Sequence, residues 1–552
     1  MPRGGPLAGK DAGPFAGILR VMVPYAIRLL TGLLLSSAAF AVFLPAQEPA
    51  PCDAALLTAK EPQPVFVRMR NQLFARGGDY EAFCREHATT PRSGLRAENV
   101  ADLRTRADDS WRACRDLVDE LVTAGELRDV RRFWIVNGFA ADASAAAVER
   151  LRRLPETAYV HLQTQPGRSQ QQRQPRPERW LAARAADERQ ALVMLERRGE
   201  EAAFDPAGLT VPWNLQAIRA DAAWKLGACG QGVVVALLDS GVLMTEPLVH
   251  ALWRNPGEQA NGRDDDGNGF VDDLFGWDFD GDDRFVVGDG AKSHGTMCGG
   301  IIAGRPWGEP RTVTGVAPRS RLMVLRGMGS LRAYEYAAAM GADVLSMSYM
   351  WIGVELGSYR GVFRTAHEHL AACGVVAVGG AGNFGRSAPE GKQIALPKDI
   401  PCVIAASGIG ADGAAPDFSS RGPCTWDDVP FFGDHPASAP LRKPDLAGCA
   451  AGFPLWHRTA MAGRKVEIVW QDDAGYGLIV GPRGNSFSGP HAAGAAALML
   501  SVQPELTPWR VKELLESTCL DRGEEGWDAT YGAGLIQADA AVRAAKAATV
   551  RD

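Results

Sequence analysis

The sequence predicts an α/β fold, a doubly wound parallel sheet with helices on both faces, preceded by a small α+β unit. Short continuous apolar runs at 233–238, 322–325, 344–347, 375–378 and 403–406 carry the first part of that expectation. Unbroken apolarity over so few residues suits strands buried on both faces. Helical patterns at 331–340 and 361–372 fall between consecutive runs, as in a parallel sheet covered by helices. The third observation is a separate mixed stretch between Glu61 and Gln163, ended by a segment that has little apolar surface to bury.

Along the chain, Arg20 and Arg28 precede a run at 29–44 without a charge, and Pro45, Ala46 and Glu48 follow. That order is the order of a secretory signal, so 1–46 is expected to be a signal peptide. The run is shorter than the roughly 18–20 residues of a membrane-spanning helix, and no second long apolar run follows. The expected location is secreted or periplasmic, with no membrane contact after signal cleavage; an uncleaved anchor is the competing reading.

The mixed stretch should hold an apolar segment at 65–74, a helix at 98–127, a strand at 133–136, a helix at 144–154 with Ala147, Val148, Leu151 and Leu154 on one face, and a strand at 159–162. Residues 168–179 (RSQQQRQPRPER) read as an exposed linker. At 552 residues more than one folding unit is expected. A net charge of −6 supplies no sustained positive field, which argues against nucleic acid as a partner. The 10 cysteines are scattered singly, without the paired spacing of a zinc ribbon or a dithiol redox motif.

Reactive groups in such a sheet belong at the carboxyl ends of its strands, and the polar signals fall there. Asp239 directly follows the run VVVALL, where a carboxylate can hold an imidazole in one tautomer. Alone, Asp-Ser-Gly is also an ordinary turn. His294, in Ser-His-Gly-Thr, heads a stretch of small and apolar residues suited to a helix packed on the sheet; a lone histidine is more often structural. Ser486, in GNSFSGPH, precedes the apolar helix AAGAAALML, whose N-terminus favours negative charge, although a serine there can simply cap the helix. Pro490 is expected in that helix's first turn, where its missing N–H costs nothing. Asn383 ends the run VVAVGGAGN and could donate its side-chain amide to an oxyanion.

Taken together, Asp-Ser-Gly, His-Gly-Thr, Gly-Asn and Gly-x-Ser-x-x-x-Pro-His stand in the order Asp, His, Asn, Ser, and the chain resembles the subtilase family of serine proteases over about 211–545. WNLQAIRADAAW (213–224), GADVLSMS (341–348), FSSRGP, KPDLAG and YGAGLIQADAAV (531–542) extend the resemblance. It implies a serine endopeptidase acting on protein or peptide substrates, with Asp239, His294 and Ser486 as the triad and Asn383 at the oxyanion. Ser346, Ser348, Tyr349 and Gly380 would line the substrate cleft. FWIVNGFAADASAAAVERLRRLPETAYVHL (133–162) resembles the family's propeptide-inhibitor. The implied domains are a propeptide at 47–163, a linker and processing region at 164–210 with the cut between Gln163 and Trp213, and a subtilisin-like catalytic domain at 211–548. Seven cysteines (229, 298, 373, 402, 424, 449, 519) would stay in the mature part, so at least one lacks an internal disulfide partner.

Some residues depart from the family pattern. Asn485 replaces a threonine, Met297 and Cys298 replace His-Val, and Tyr349-Met350-Trp351 stands where a glycine usually pairs its backbone with substrate. The last keeps a rival open, a catalytically impaired subtilase-fold binding protein. An esterase sharing the triad logic is disfavoured by the Asp, His, Ser order. Between Asp239 and His294 an acidic, Gly-rich insertion places Asp264, Asp266, Asn268, the Phe270 carbonyl and Asp272 at the spacing of a calcium loop, with Phe275 where a complete EF-hand has Glu. Structural Ca²⁺ is the expected cofactor, with none for catalysis.

Overall fold

The computed structural model describes residues 48–164, 176–198, 204–288, 294–427, 429–459 and 466–548. The expected signal peptide lies outside them. No helix among the described residues is long and apolar enough to cross a membrane.

A leading unit comprises α1 (Ala55–Thr58), β1 (Gln63–Met69), α2 (Asp79–Glu86), α3 (Arg92–Thr123), β2 (Leu127–Phe133), β3 (Gly138–Ala143), α4 (Ala145–Leu151) and β4 (Thr157–Leu162). Its four strands form an antiparallel sheet in the order β2-β3-β1-β4. The two faces of β1 serve different cores because side chains alternate along a strand. Val65, Val67 and Met69 pack with Cys114, Val118 and Leu121 of α3 and with α4. Phe66 points the other way, into a core shared with Tyr359 and Phe363 of the main unit. Burying such a ring contributes roughly 1.5–3 kcal/mol.

The structure departs from the sequence expectation in three places. The strand placed at 133–136 is instead a β2–β3 hairpin turning over Trp134 to Asn137, with Ile135 and Val136 buried in the turn. The long helix starts at Arg92, because its first turns are held by polar contacts that leave no apolar period. Arg92 donates to Asp343 (2.6 Å), Arg96 to the Ala342 carbonyl (2.5 Å) and Asn99 to the Ala372 carbonyl (2.9 Å). The region read as linker and processing region, 164–210, contains α5 (Glu178–Arg198), docked by buried Ala191 and Glu188, while 168–175 of the expected exposed linker lie outside the described residues.

The main unit continues with α6 (Trp213–Ala217), α7 (Ala220–Lys225), β5 (Val234–Asp239), α8 (Glu246–Val249), β6 (Gly276–Asp278), α9 (His294–Ala303), β7 (Arg321–Arg326), α10 (Leu331–Ala339), β8 (Val344–Met347), α11 (Arg360–Ala372), β9 (Val376–Gly380), β10 (Ile404–Ile409) and β11 (Leu446–Cys449). After β12 (Leu455–Arg458), β13 (Glu467–Gln471) and β14 (Tyr476–Val480), which form a small antiparallel sheet, come α12 (Asn485–Leu500), α13 (Pro508–Ser517) and α14 (Ala538–Ala547). Seven parallel strands make the main sheet in the order β11-β10-β9-β8-β5-β7-β6. Helices cover both faces: Val235 and Leu237 of β5 pack with α9 and α12, whereas Ala236 and Leu238 pack with α10 and α11. The doubly wound fold is therefore the observed one. Since β5 has β7 on one side and β8 on the other, its carboxyl end lies where strand order reverses and a crevice opens.

Candidate active site

Asp239 is the last residue of β5, 3% exposed, and His294 is the first of α9. The helix can approach that strand end because Gly295 has no side chain: a Cβ there would meet the Gly241 carbonyl at 2.4 Å. The Gly295 N–H donates to the Ser240 hydroxyl (3.1 Å), fixing the start of α9. His294 Nδ1 then lies 2.9 Å and 3.0 Å from the two Asp239 carboxylate oxygens. An Nδ1–H donated to Asp239 leaves Nε2 able to accept a proton. Burial alone would raise the Asp239 carboxyl; His294 and the Ser240 N–H outweigh it and hold the group below its ordinary value.

Ser486 is the second residue of α12, where backbone N–H groups lack helical partners. The helix reaches β9 backbone to backbone, since a Cβ on Gly380 would sit 1.9 Å from the Asn485 carbonyl oxygen. Asn485 completes the joint. Its N–H donates to Asn383 Oδ1 (2.7 Å), and its side-chain amide donates to the Gly382 carbonyl (2.8 Å) and the Ser419 hydroxyl (2.9 Å). Asn383, exposed beyond the end of β9, thus has its oxygen pinned and its Nδ2 beside Gly484, two residues from Ser486. The departure at Asn485 is a positioning device, legible only once β9 and α12 meet.

Pro490 is the sixth residue of α12, beyond the first turn expected for it. Its missing N–H would have bonded the Ser486 carbonyl four residues back. That carbonyl instead accepts from the Ser348 hydroxyl (2.8 Å) and the Cys298 thiol (3.5 Å). Cys298, whose thiol burial pushes upward, is one helical turn from His294 and 3.6 Å from its Nδ1, so the sulfur links α9 to α12. The His294 ring lies stacked against Phe487, centroids 6.0 Å apart. Asp239 and His294 are joined directly, and Ser486 approaches them through its carbonyl at Cys298; its hydroxyl makes no hydrogen bond to Nε2 among the described residues.

The four expected cleft residues divide. Ser346 is fully buried in β8, and Gly380 is enclosed against α12. Ser348 and Tyr349 are half-buried, the first holding the Ser486 carbonyl and the second sharing a 2.7 Å hydrogen bond with Tyr334. The open space lies just beyond: a cleft of about 580 Å³ begins at Trp351 and Phe384, the latter adjacent to Asn383, and is walled by Ile352, Val354, Leu356 and Leu396. Apolar residues following Tyr349 were its sequence signal.

In the acidic insertion, carboxylate oxygens of Glu258, Asp264 and Asp266 lie within 4.8 Å of one another. Glu258 was missed because it precedes the EF-hand-like spacing. Asp272 is not among them: 2% exposed, it is held by Arg284 (2.5 Å) and accepts the N–H groups of Asn261 and Gly262 (2.9 Å each). The Asn268 oxygen is turned to the Phe270 N–H (2.8 Å), and its amide donates to Asp266 and Asp273. The spacing motif therefore contributes two carboxylates, joined by one from outside it.

The model of the subtilase family matches residues 230–534, more than half of the chain. The chain belongs to the subtilase family. It is 24% identical to Bacillopeptidase F of Bacillus subtilis over 81% of this chain, spanning 29% of that protein's length. It is 26% identical to subtilisin DY of Bacillus licheniformis over 60% of this chain and 99% of that one. Among solved structures, fervidolysin from Fervidobacterium pennivorans, described as a keratinolytic enzyme related to subtilisin, matches with a TM-score of 0.51 at 18% identity, covering 90% of this chain and 63% of its own. This last likeness speaks for the fold. As a subtilase, the chain carries the fold and motif order of a family of serine endopeptidases.

Proposed function

We propose that the chain is an exported serine endopeptidase that hydrolyses peptide bonds through Asp239, His294 and Ser486, made as a self-processing zymogen whose leading unit is its propeptide. The observation that carries the reading is the bond between buried Asp239 and His294 Nδ1 at the sheet's switch point, with Ser486 across Cys298 at the N-terminus of a buried helix. Ser486 Oγ attacks the scissile carbonyl carbon as its proton passes to His294 Nε2. The tetrahedral oxyanion rests on Asn383 Nδ2 and the Ser486 N–H. His294 then gives the proton to the leaving amine, and water, deprotonated by the same ring, hydrolyses the acyl-enzyme. The hydroxyl-to-ring contact closes on substrate binding, as catalytic hydrogen bonds commonly do.

Ca²⁺ fits the three clustered carboxylates of Glu258, Asp264 and Asp266, which are hard oxygen donors. Bound there, it would offset their mutual repulsion and stiffen the insertion. Export rests on the charge and apolar order of residues 1–48.

Expression of the full chain tests the reading: the wild type should cut itself between the leading and main units, and Ser486→Ala should stay whole. Self-cleavage by Ser486→Ala would overturn it. A catalytically impaired binding protein is favoured by Tyr349-Met350-Trp351 and the open hydroxyl-to-ring contact; that reading requires the wild type to stay whole as well.

A further inference from the structure

Helix α5 follows the leading unit in sequence, yet its contacts belong to the main unit. Ala191 is fully buried in the main unit's core, where α5 meets α8, and Leu192, Met194 and Leu195 pack against the same core. Glu188, 6% exposed, pairs with Arg284 Nε (3.2 Å). Arg284 in turn holds Asp272, whose carboxylate accepts the Asn261 and Gly262 N–H groups and whose own N–H donates to Glu258 (3.1 Å). A chain of charge, buried except at the partly exposed Arg284, thus runs from α5 into the acidic insertion.

Just before the helix, Arg176 donates to Asp278 (2.5 Å) and lies 3.3 Å from Asp283. Asp278 is fully buried at the end of β6 and also pairs with Arg326 (3.0 Å). The guanidinium of Arg176 lies 4.0 Å from the centre of the Trp180 ring, and that ring packs edge-on against Phe285. None of these contacts reaches the leading unit, which docks instead through α3, β2 and β4 near α10 and α11. Buried carboxylates tolerate the loss of a cationic partner poorly, so losing this segment would leave Asp278 and Arg284 with part of their compensation missing.

We propose that Arg176 and α5 form a permanent strap of the main unit, which stays with it when the leading unit is cut away and holds the acidic insertion in place. The proposal rests on the self-processing reading only for the cut, not for the strap. Two measurements keep these apart. In the self-processed wild type, terminal sequencing and intact mass should place the new N-terminus ahead of Arg176; an active product beginning at Phe204 or later would overturn the strap. In the uncut Ser486→Ala chain, which needs no activity, hydrogen exchange should find α5 amides protected like those of α9 and α12. Adding Glu188→Ala should speed exchange across 257–273 by about tenfold or more and lower the melting temperature. Unprotected α5, or unchanged exchange across the insertion, contradicts the proposal. If the wild type is never cut, the self-processing reading fails while the exchange arm still decides the strap.

Discussion

The crevice at the end of β5 and the face where the leading unit docks are built on different principles. In the crevice, few side chains act and glycine lets backbones approach: Gly295 brings His294 to Asp239, and Gly380 brings Asn383 to the head of α12. The docking face spreads its hold over many groups. Phe66 and Ile135 enter the main core, Arg92 pairs with buried Asp343, His369 accepts the Phe74 N–H (3.0 Å) while its other nitrogen meets the Ile135 carbonyl (2.7 Å), and Glu335 accepts the N–H groups of Trp134 and Ile135. Single changes in the crevice should therefore abolish chemistry and spare folding, whereas changes on the face should loosen docking and spare chemistry.

The largest effect tests the first half. Ser486→Ala should lower turnover by about 10⁶, the loss known for subtilisin, with a melting temperature like that of the wild type. Asn383→Ala should cost about 10²–10³ in turnover with KM nearly unchanged, because its amide acts on the transition state. A comparable loss of stability in either variant would erase the distinction between the regions.

On the docking face, Arg92→Ala leaves Asp343 without its nearer guanidinium, and removing one partner of a buried pair costs about 3–5 kcal/mol. Binding of the separated leading unit, followed by calorimetry, should weaken by about 10² or more while peptidase activity of the main unit stays constant. The smallest effect concerns pH. Burial outweighs the two N–H groups and pushes the Glu335 carboxyl up to about 7. A value raised in the docked state means that protonation favours docking: the contribution is present in full at about pH 4 and is lost as pH rises through 7. Docking should be about tenfold weaker at pH 8 than at pH 5, and Glu335→Gln should flatten the slope. The opposite slope would show that the two N–H groups, not burial, decide the charge of Glu335.

The same contrast explains what the sequence made legible. Asp239, His294, Asn383 and Ser486 each sit at an apolar run's edge, so strand and helix ends could be read from local pattern, and the parallel sheet with them. The burial of Ser346 and Gly380 was not legible, because a strand buried on both faces leaves no sign of which residue meets solvent. The contacts of Arg92, Glu335 and His369 join residues more than 200 positions apart, with no periodicity to mark them. For the same reason α5 passed for a linker: its docking rests on Arg176, Glu188 and a few small or apolar side chains rather than on a broad apolar stripe. In the acidic insertion the spacing pointed to Asp264 and Asp266, whose carboxylates cluster with that of Glu258, whereas Arg284 claims Asp272 from outside the motif.

The central claim is that Asp239, His294 and Ser486 activate one hydroxyl. Labelling the self-processed protein with a fluorophosphonate and mapping the adduct by peptide mass spectrometry tests it most directly. The label should sit on Ser486 alone and vanish in His294→Ala; an unlabelled Ser486, or labelling that survives loss of the imidazole, would contradict it.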